Sequence, residues 1–154
     1  MMTALLEASK RLLDAVPNVE LVTFLFIVFT LFYGPKVIYV AFAFTGLETI
    51  YWGPDTWVIM YLYLWPLLIM IVYLTRKHAN AWFYSFLSAF FGLIFGALCA
   101  IVYIFIGGPS MAFTWWIAGI PSDILHCISN FIVCRLLYTP VMKGLQHIRK
   151  QMHK

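Results

Sequence analysis

Charge is what this chain has least of. Its 154 residues include six acidic and ten basic side chains, 10% in all, against about 25% in a typical soluble domain. So few ionic groups cannot build a solvated outer shell, and a water-soluble globule is ruled out. Cysteine is also sparse. Cys99, Cys127 and Cys134 all lie inside apolar runs, an odd number without metal-ligand spacing, so neither a disulfide framework nor a metal site is expected. They read as small apolar side chains. The sequence has no phosphate-cradling G-x-x-x-x-G-K-[ST] loop, no His-Glu metal motif and no nucleophile elbow, which excludes the commonest signatures of nucleotide-driven and hydrolytic chemistry. The net charge of +4 does not point to nucleic acid, because the basic residues sit at segment ends and form no stripe. A signal peptide is not expected either, since Glu7, Lys10, Arg11 and Asp14 interrupt the stretch that would be its apolar core.

What fills the chain is hydrophobic and aromatic, 64% and 19% of residues, with a mean hydropathy of +0.91. These values belong to an all-α integral membrane protein, one domain over 1–154, and the apolar runs suggest six spans. They cover residues 2–16, 19–33, 37–52, 56–74, 81–106 and 121–138, with a basic tail over 140–154. Gly34-Pro35, Gly53-Pro54 and Gly107-Gly-Pro109 supply the breaks. Several runs fall short of the ~20 residues that cross a ~30 Å hydrocarbon core, which suits a compact bundle around a pocket. Lys36, Arg76, Lys77, Lys143, Arg149, Lys150 and Lys154 fall on one side of such a bundle, and the opposite loops carry no Lys or Arg. By the positive-inside rule both termini are then cytoplasmic.

Polar side chains inside the apolar runs are the functional candidates, because each needs a partner or a polar cavity. Asp123, His126 and Asn130 stand at i, i+3 and i+7, one helix face. If Pro121 takes the first helical position, Asp123 lies near the positive end of the helix dipole. This face either touches a ligand or pins the last helix to its neighbours. In the first run, Glu7 with Arg11 and Lys10 with Asp14 have helical i,i+4 spacing. These charges, Lys10 among them, either rim a substrate site or hold helices together. Subtracting those pairs leaves Glu20, Glu48, Asp55 and Asp123 as an acidic surplus on the outer half, which favours a cationic or neutral aromatic solute. Tyr51, Trp52, Trp57, Tyr61, Tyr63, Trp65, Trp115 and Trp116 crowd the side opposite the basic loops. An interfacial belt explains such a cluster. Stacking on a flat ligand by Trp52, Trp57, Tyr61 and Trp115, beside Glu48, explains it as well. Two small-residue patterns bear on packing: Ala4 with Ala8, and the stripe Ser85, Ala89, Gly92, Gly96 and Ala100, whose spacing lets helix backbones approach closely.

Pro17-Asn-Val-Glu-Leu-Val22, Tyr61-Leu-Tyr-Leu-Trp65, Phe91-Gly-Leu-Ile-Phe-Gly-Ala97 and Gly119-Ile-Pro-Ser-Asp-Ile-Leu-His126 with Asn130-Phe131 together resemble an S component. This is the substrate-capture subunit of energy-coupling factor (ECF) vitamin transporters. The resemblance covers most of the chain and implies a six-helix bundle with cytoplasmic termini in a bacterial plasma membrane. It further implies capture of a water-soluble vitamin or related micronutrient without catalysis or cofactor, and transfer to a transmembrane coupling subunit driven by ATPase subunits. In that family an Ala-xxx-Ala face on the first helix docks the coupling subunit, which carries over to Ala4 and Ala8. The motifs do not name the vitamin. Two other classes compete: a small integral-membrane enzyme using Asp123 and His126 as an acid–base pair, and a structural subunit of a membrane complex.

Overall fold

The computed structural model describes residues 1–13, 16, 19–78 and 80–152, and these are helical almost throughout, with no strand among them. Three stretches, Val22–Trp52, Thr56–His78 and Ala81–Gln151, are long and apolar enough to cross a membrane. Two glycines subdivide the first and third. Gly34 (φ 76°) and Gly108 (φ 81°) adopt backbone angles that disfavour any side chain, and each ends a helix. Six α-helices result among the described residues: α1 (Met2–Leu13), α2 (Val22–Tyr33), α3 (Ile38–Trp52), α4 (Thr56–Thr75), α5 (81–107) and α6 (109–152).

α2 is apolar on every face and largely buried, as a central helix should be. It lies against α4 and carries the heart of the core. Trp65 of α4 stacks on Phe26 of α2 at 5.1 Å between ring centres, and Phe44 of α3 meets both rings at 6.1–6.3 Å. α1 seats Leu6 and Ser9 in the bundle and leaves Ala4, Leu5, Ala8 and Leu12 exposed. α5 and α6 fold back on each other about Gly108, as the pairs Tyr103–Trp115 and Tyr84–Tyr138 record. The outer surface is itself apolar: Tyr39, Ile50, Phe86, Phe105 and Leu136 are each more than 60% exposed. A surface of this kind is compatible with lipid and not with water.

The helices depart from the sequence expectations at three places. The run expected over 19–33 becomes helical only at Val22, because the Glu20 carboxylate accepts the Thr23 N–H (2.8 Å) and so occupies the capping role. α6 begins at 109, directly after Gly108, and absorbs the expected connector around Trp115 and Trp116. Pro109 takes the first-turn position that suits proline, and Pro121 lies in the helix interior. Asp123 is therefore about four turns from the N-terminus of α6, too deep for the end of the dipole to act on it. The basic tail, finally, continues α6 as helix through Pro140 to Met152. The first expected run, 2–16, is helical to Leu13; residues 14 and 15 lie outside the described residues and Val16 is a bend.

Candidate functional site

The polar face expected on the last span exists, and α5 is what it meets. The stripe Ser85, Ala89, Gly92, Gly96 and Ala100 is buried along its whole length, and α6 lies upon it. Asp123 rests on Gly96 and accepts its backbone N–H at Oδ1 (3.0 Å). A Cβ at Gly96 would stand only 2.7 Å from that same oxygen. At Gly92 a Cβ would stand 2.9 Å from the His126 carbonyl oxygen and 3.1 Å from Asn130 Nδ2. Asn130 is fully enclosed and donates to the Ser88 carbonyl at 3.4 Å. The glycines thus do for α5 what small residues do in lipid generally: they admit a second backbone, here one carrying polar side chains.

Above this contact the bundle opens into a cavity of about 470 Å³. Its lining combines the aromatic rings of Tyr61, Trp65, Phe95 and Trp115 with the polar groups of Glu20, Asp123, His126 and Lys10. The rings form a connected arc, with Tyr61 edge-on to Trp65 at 5.2 Å, Trp65 beside Phe95 at 6.1 Å, and Phe95 edge-on to His126 at 5.1 Å. His126 Nε2 lies 3.2 Å from Glu20 Oε1, tying α6 to the segment that precedes α2. Leu13, Val16 and Val19 complete the wall on the α1 side. The volume is that of a small-molecule site.

Next to the cavity lies a charge network joining α1 to α3. Glu48 is wholly buried, and it is reached by Lys10 Nζ at one oxygen and by Arg11 at the other (3.3 Å). Arg11 also approaches Glu7 at 3.4 Å, the i,i+4 pair expected from the sequence. The guanidinium lies 3.8 Å from the Tyr51 ring centre and 5.1 Å from that of Trp52, while Lys10 Nζ stands 5.5 Å from Tyr61 and 5.8 Å from Trp57. Two cations facing two carboxylates make the burial of Glu48 tolerable.

Of the residues proposed from sequence, Asp123, His126, Tyr61, Trp115 and Lys10 line the cavity together. Glu48, Trp52, Trp57 and Asn130 do not. Glu48 anchors the ion network, Trp52 is an exposed partner of Tyr51 and Arg11, Trp57 braces Tyr61 edge-on at 5.3 Å, and Asn130 pins α6 to α5. Lys10 pairs with Glu48; the expected partner Asp14 lies outside the described residues. Glu48 is met by two cations, Glu20 by His126, and Asp55 caps α4 through the Thr56 N–H. Glu20, Trp65, Phe95, Gly96 and Ser122 line the cavity without having been proposed as site residues. One signal for Gly96 was available: it and Asp123 are nearly equidistant from the turn at Gly108, so a hairpin there sets them opposite one another.

Ala4 and Ala8 lie on the exposed side of α1, away from the cavity. Among the described residues no group of three or more His, Cys, Asp or Glu is arranged to hold a metal ion. Compared with known proteins, the chain matches no family model, no curated sequence and no solved structure.

Proposed function

We propose that this chain is a membrane-embedded solute-capture subunit of the ECF type, an S component that binds a water-soluble vitamin or related micronutrient and does no chemistry on it. The observation that carries this reading is the 470 Å³ cavity, whose lining joins aromatic rings to Glu20, Asp123, His126 and Lys10, in a chain whose outer surface is largely apolar. A purely structural subunit gains nothing from a polar-lined void, since buried polar atoms without partners are costly. Capture is also favoured over acid–base chemistry by Asp123 and His126 because their contacts are with other groups, His126 with Glu20 and Asp123 with the Gly96 N–H.

In this reading the chain crosses a bacterial plasma membrane six times with both termini in the cytoplasm. Lys36, Arg76, Lys77, Lys143, Arg149 and Lys150 lie toward one end of the bundle, and the Arg149 guanidinium packs 5.5 Å from the Phe32 ring near the end of α2. The cavity opens toward the other end, where the cations Lys10 and Arg11 are engaged by carboxylates. The sequence has no nucleotide-binding loop, so uptake would draw on ATPase subunits through a transmembrane coupling subunit. The exposed Ala4–Ala8 face of α1, flanked by Leu5 and Leu12, suits close docking of that subunit's helices.

Co-expression with an ECF coupling module tests the proposal. Ala4→Trp and Ala8→Trp should prevent co-purification of the module while a stabilising solute still raises the melting temperature of the isolated subunit. Loss of solute binding with assembly intact would reverse the assignment of that face.

A further inference from the structure

Arg135 is the one Lys or Arg inside the last apolar run, 121–138, and from residue 124 to the end of the chain there is no Asp or Glu. The described carboxylates are all placed elsewhere: Glu7 and Glu48 in the α1–α3 network, Glu20 on His126, Asp55 on the start of α4, Asp123 on Gly96. The guanidinium is partly exposed and carries five N–H donors. Among the described residues it has no ion pair and no hydrogen bond. What it meets is the ring of Trp82, 4.4 Å from the centre, a cation–π contact that gives none of its donors an oxygen. The surroundings are apolar and outward-facing. Trp82, Phe86, Ile132 and Leu136 are exposed, and Phe131 joins Trp82 and Phe86 at 6.4 and 5.2 Å. α5 starts just past the basic segment Arg76–His78, so Trp82 and Arg135 stand at the basic end of the bundle. Leading away from that end, α6 bounds an apolar groove of about 310 Å³ with Leu125, Ile128, Ser129, Ile132 and Val133. At ~1.5 Å rise per residue, Leu125 lies ~15 Å from Arg135, half of a ~30 Å hydrocarbon core.

We propose that Arg135 and Trp82 form a binding site for an acidic phospholipid. Its phosphodiester accepts the guanidinium N–H groups, the indole flanks the glycerol, and an acyl chain follows the groove on α6. A charge on a lipid-facing helix surface is costly unless an anion meets it, and the protein supplies none here. Tryptophan at this height belongs to the membrane–water interface, where lipid phosphates lie. The preference for a net negative headgroup follows from charge complementarity. A zwitterionic headgroup brings its own cation to an end of the bundle that holds Lys36, Arg76, Lys77 and Lys143 and no described carboxylate. The inference goes beyond solute capture and shares with it only the membrane location.

The test titrates phosphatidylglycerol and phosphatidylcholine with identical acyl chains into the delipidated, detergent-purified full chain, read by native mass spectrometry and thermal shift. Phosphatidylglycerol should bind at least about fivefold more tightly, the scale of one basic residue near an anionic surface. Arg135→Gln should weaken it about tenfold, the scale of a lost hydrogen bond between charged groups. Lys36→Gln, which removes an exposed charge on the turn between α2 and α3, should leave it within about twofold. A second measurement needs no change at Arg135. Phosphatidylglycerol spin-labelled near its glycerol should quench tryptophan fluorescence more than equally labelled phosphatidylcholine, and Trp82→Phe should remove the difference. Equal binding of the two lipids, or unchanged binding in Arg135→Gln, overturns the site. Equal losses in Arg135→Gln and Lys36→Gln overturn it too, by reducing it to diffuse attraction. If Arg135→Gln keeps the lipid but no longer co-purifies with a coupling module, the patch belongs to a protein partner and the lipid site is refuted. Solute-induced thermal shifts should be the same in Arg135→Gln as in wild type, so failure of the lipid site leaves solute capture standing.

Discussion

Gly96→Ala is a one-methyl change whose consequence can be worked from the packing. The added Cβ would lie 2.7 Å from Asp123 Oδ1 and 2.9 Å from its Cγ, well inside the ~3.5–4.0 Å at which carbon atoms rest against each other. Either α5 and α6 separate or the carboxylate swings off Gly96 and gives up its 3.0 Å bond. Overpacking of this kind costs about 1–3 kcal/mol, and a hydrogen bond to a charged group about 1.5–3 kcal/mol. Alanine returns about 0.5–1 kcal/mol through its better helix propensity. By either route the net loss should be about 0.5–2.5 kcal/mol. Gly46 in α3 is the control, because a Cβ there meets no atom within 4 Å, so Gly46→Ala should be neutral or slightly stabilising. Unfolding by SDS in mixed micelles, followed by tryptophan fluorescence, resolves differences of this size. A double-mutant cycle with Asp123→Ala sharpens the test. Without the carboxylate the three atoms nearest the methyl are gone, so the two losses should be non-additive by more than about 1 kcal/mol. If Gly96→Ala unfolds within about 0.5 kcal/mol of wild type, Asp123 does not lie on Gly96 and the site has been built on a wrong contact.

Further expectations follow from the same contacts. Glu48→Gln should destabilise by about 1–3 kcal/mol, less than the ~3–5 kcal/mol of a fully buried pair, because Lys10 and Arg11 each keep about a quarter of their side-chain surface exposed; unchanged stability in micelles would mean that the network does not hold α1 to α3. Glu20→Ala removes both the cap on α2 and the tie to His126, so amide exchange should accelerate over residues 19–24 while the centre of α4 stays protected; uniform exchange across the chain would count against a local role. For topology, single cysteines at His78 and Pro109 should react with impermeant reagents from opposite faces of sealed vesicles, and reaction of both from one face would overturn the six-span reading.

How far the sequence carries can be judged from particular residues. The helical class was legible in the apolar runs, and several helix ends could be read at Gly34-Pro35 and Gly53-Pro54, because these breakers act locally. The shared face of Asp123, His126 and Asn130 could be read too, and so could the buried stripe from Ser85 to Ala100, since each depends only on helical spacing. The start of α6 was not legible. Gly107-Gly-Pro109 and Pro121 both look like breaks, and only packing against neighbouring helices decides which proline sits inside a helix. Pairings across the bundle were equally out of reach. Spacing within one helix offered Asp14 to Lys10, whereas the partner found is Glu48, on a helix two further along. The division of the polar face into a cavity part (Asp123, His126) and a packing part (Asn130) likewise depends on where α5 lies.

Filling the cavity tests whether it captures a small solute. Gly119 lines the cavity, and a Cβ built there has no atom within 4 Å, so Gly119→Trp should occupy the space without disturbing the bundle. The measurement is a thermal-shift screen of water-soluble vitamins and their precursors on wild type and on this variant. A solute that binds the folded protein stabilises it by about 2.7 kcal/mol at a hundredfold excess over Kd. At least one compound should clearly raise the melting temperature of wild type and none that of Gly119→Trp, whose own melting temperature stays near that of wild type. If no compound stabilises wild type, or if the variant is stabilised equally, the cavity is not a capture site.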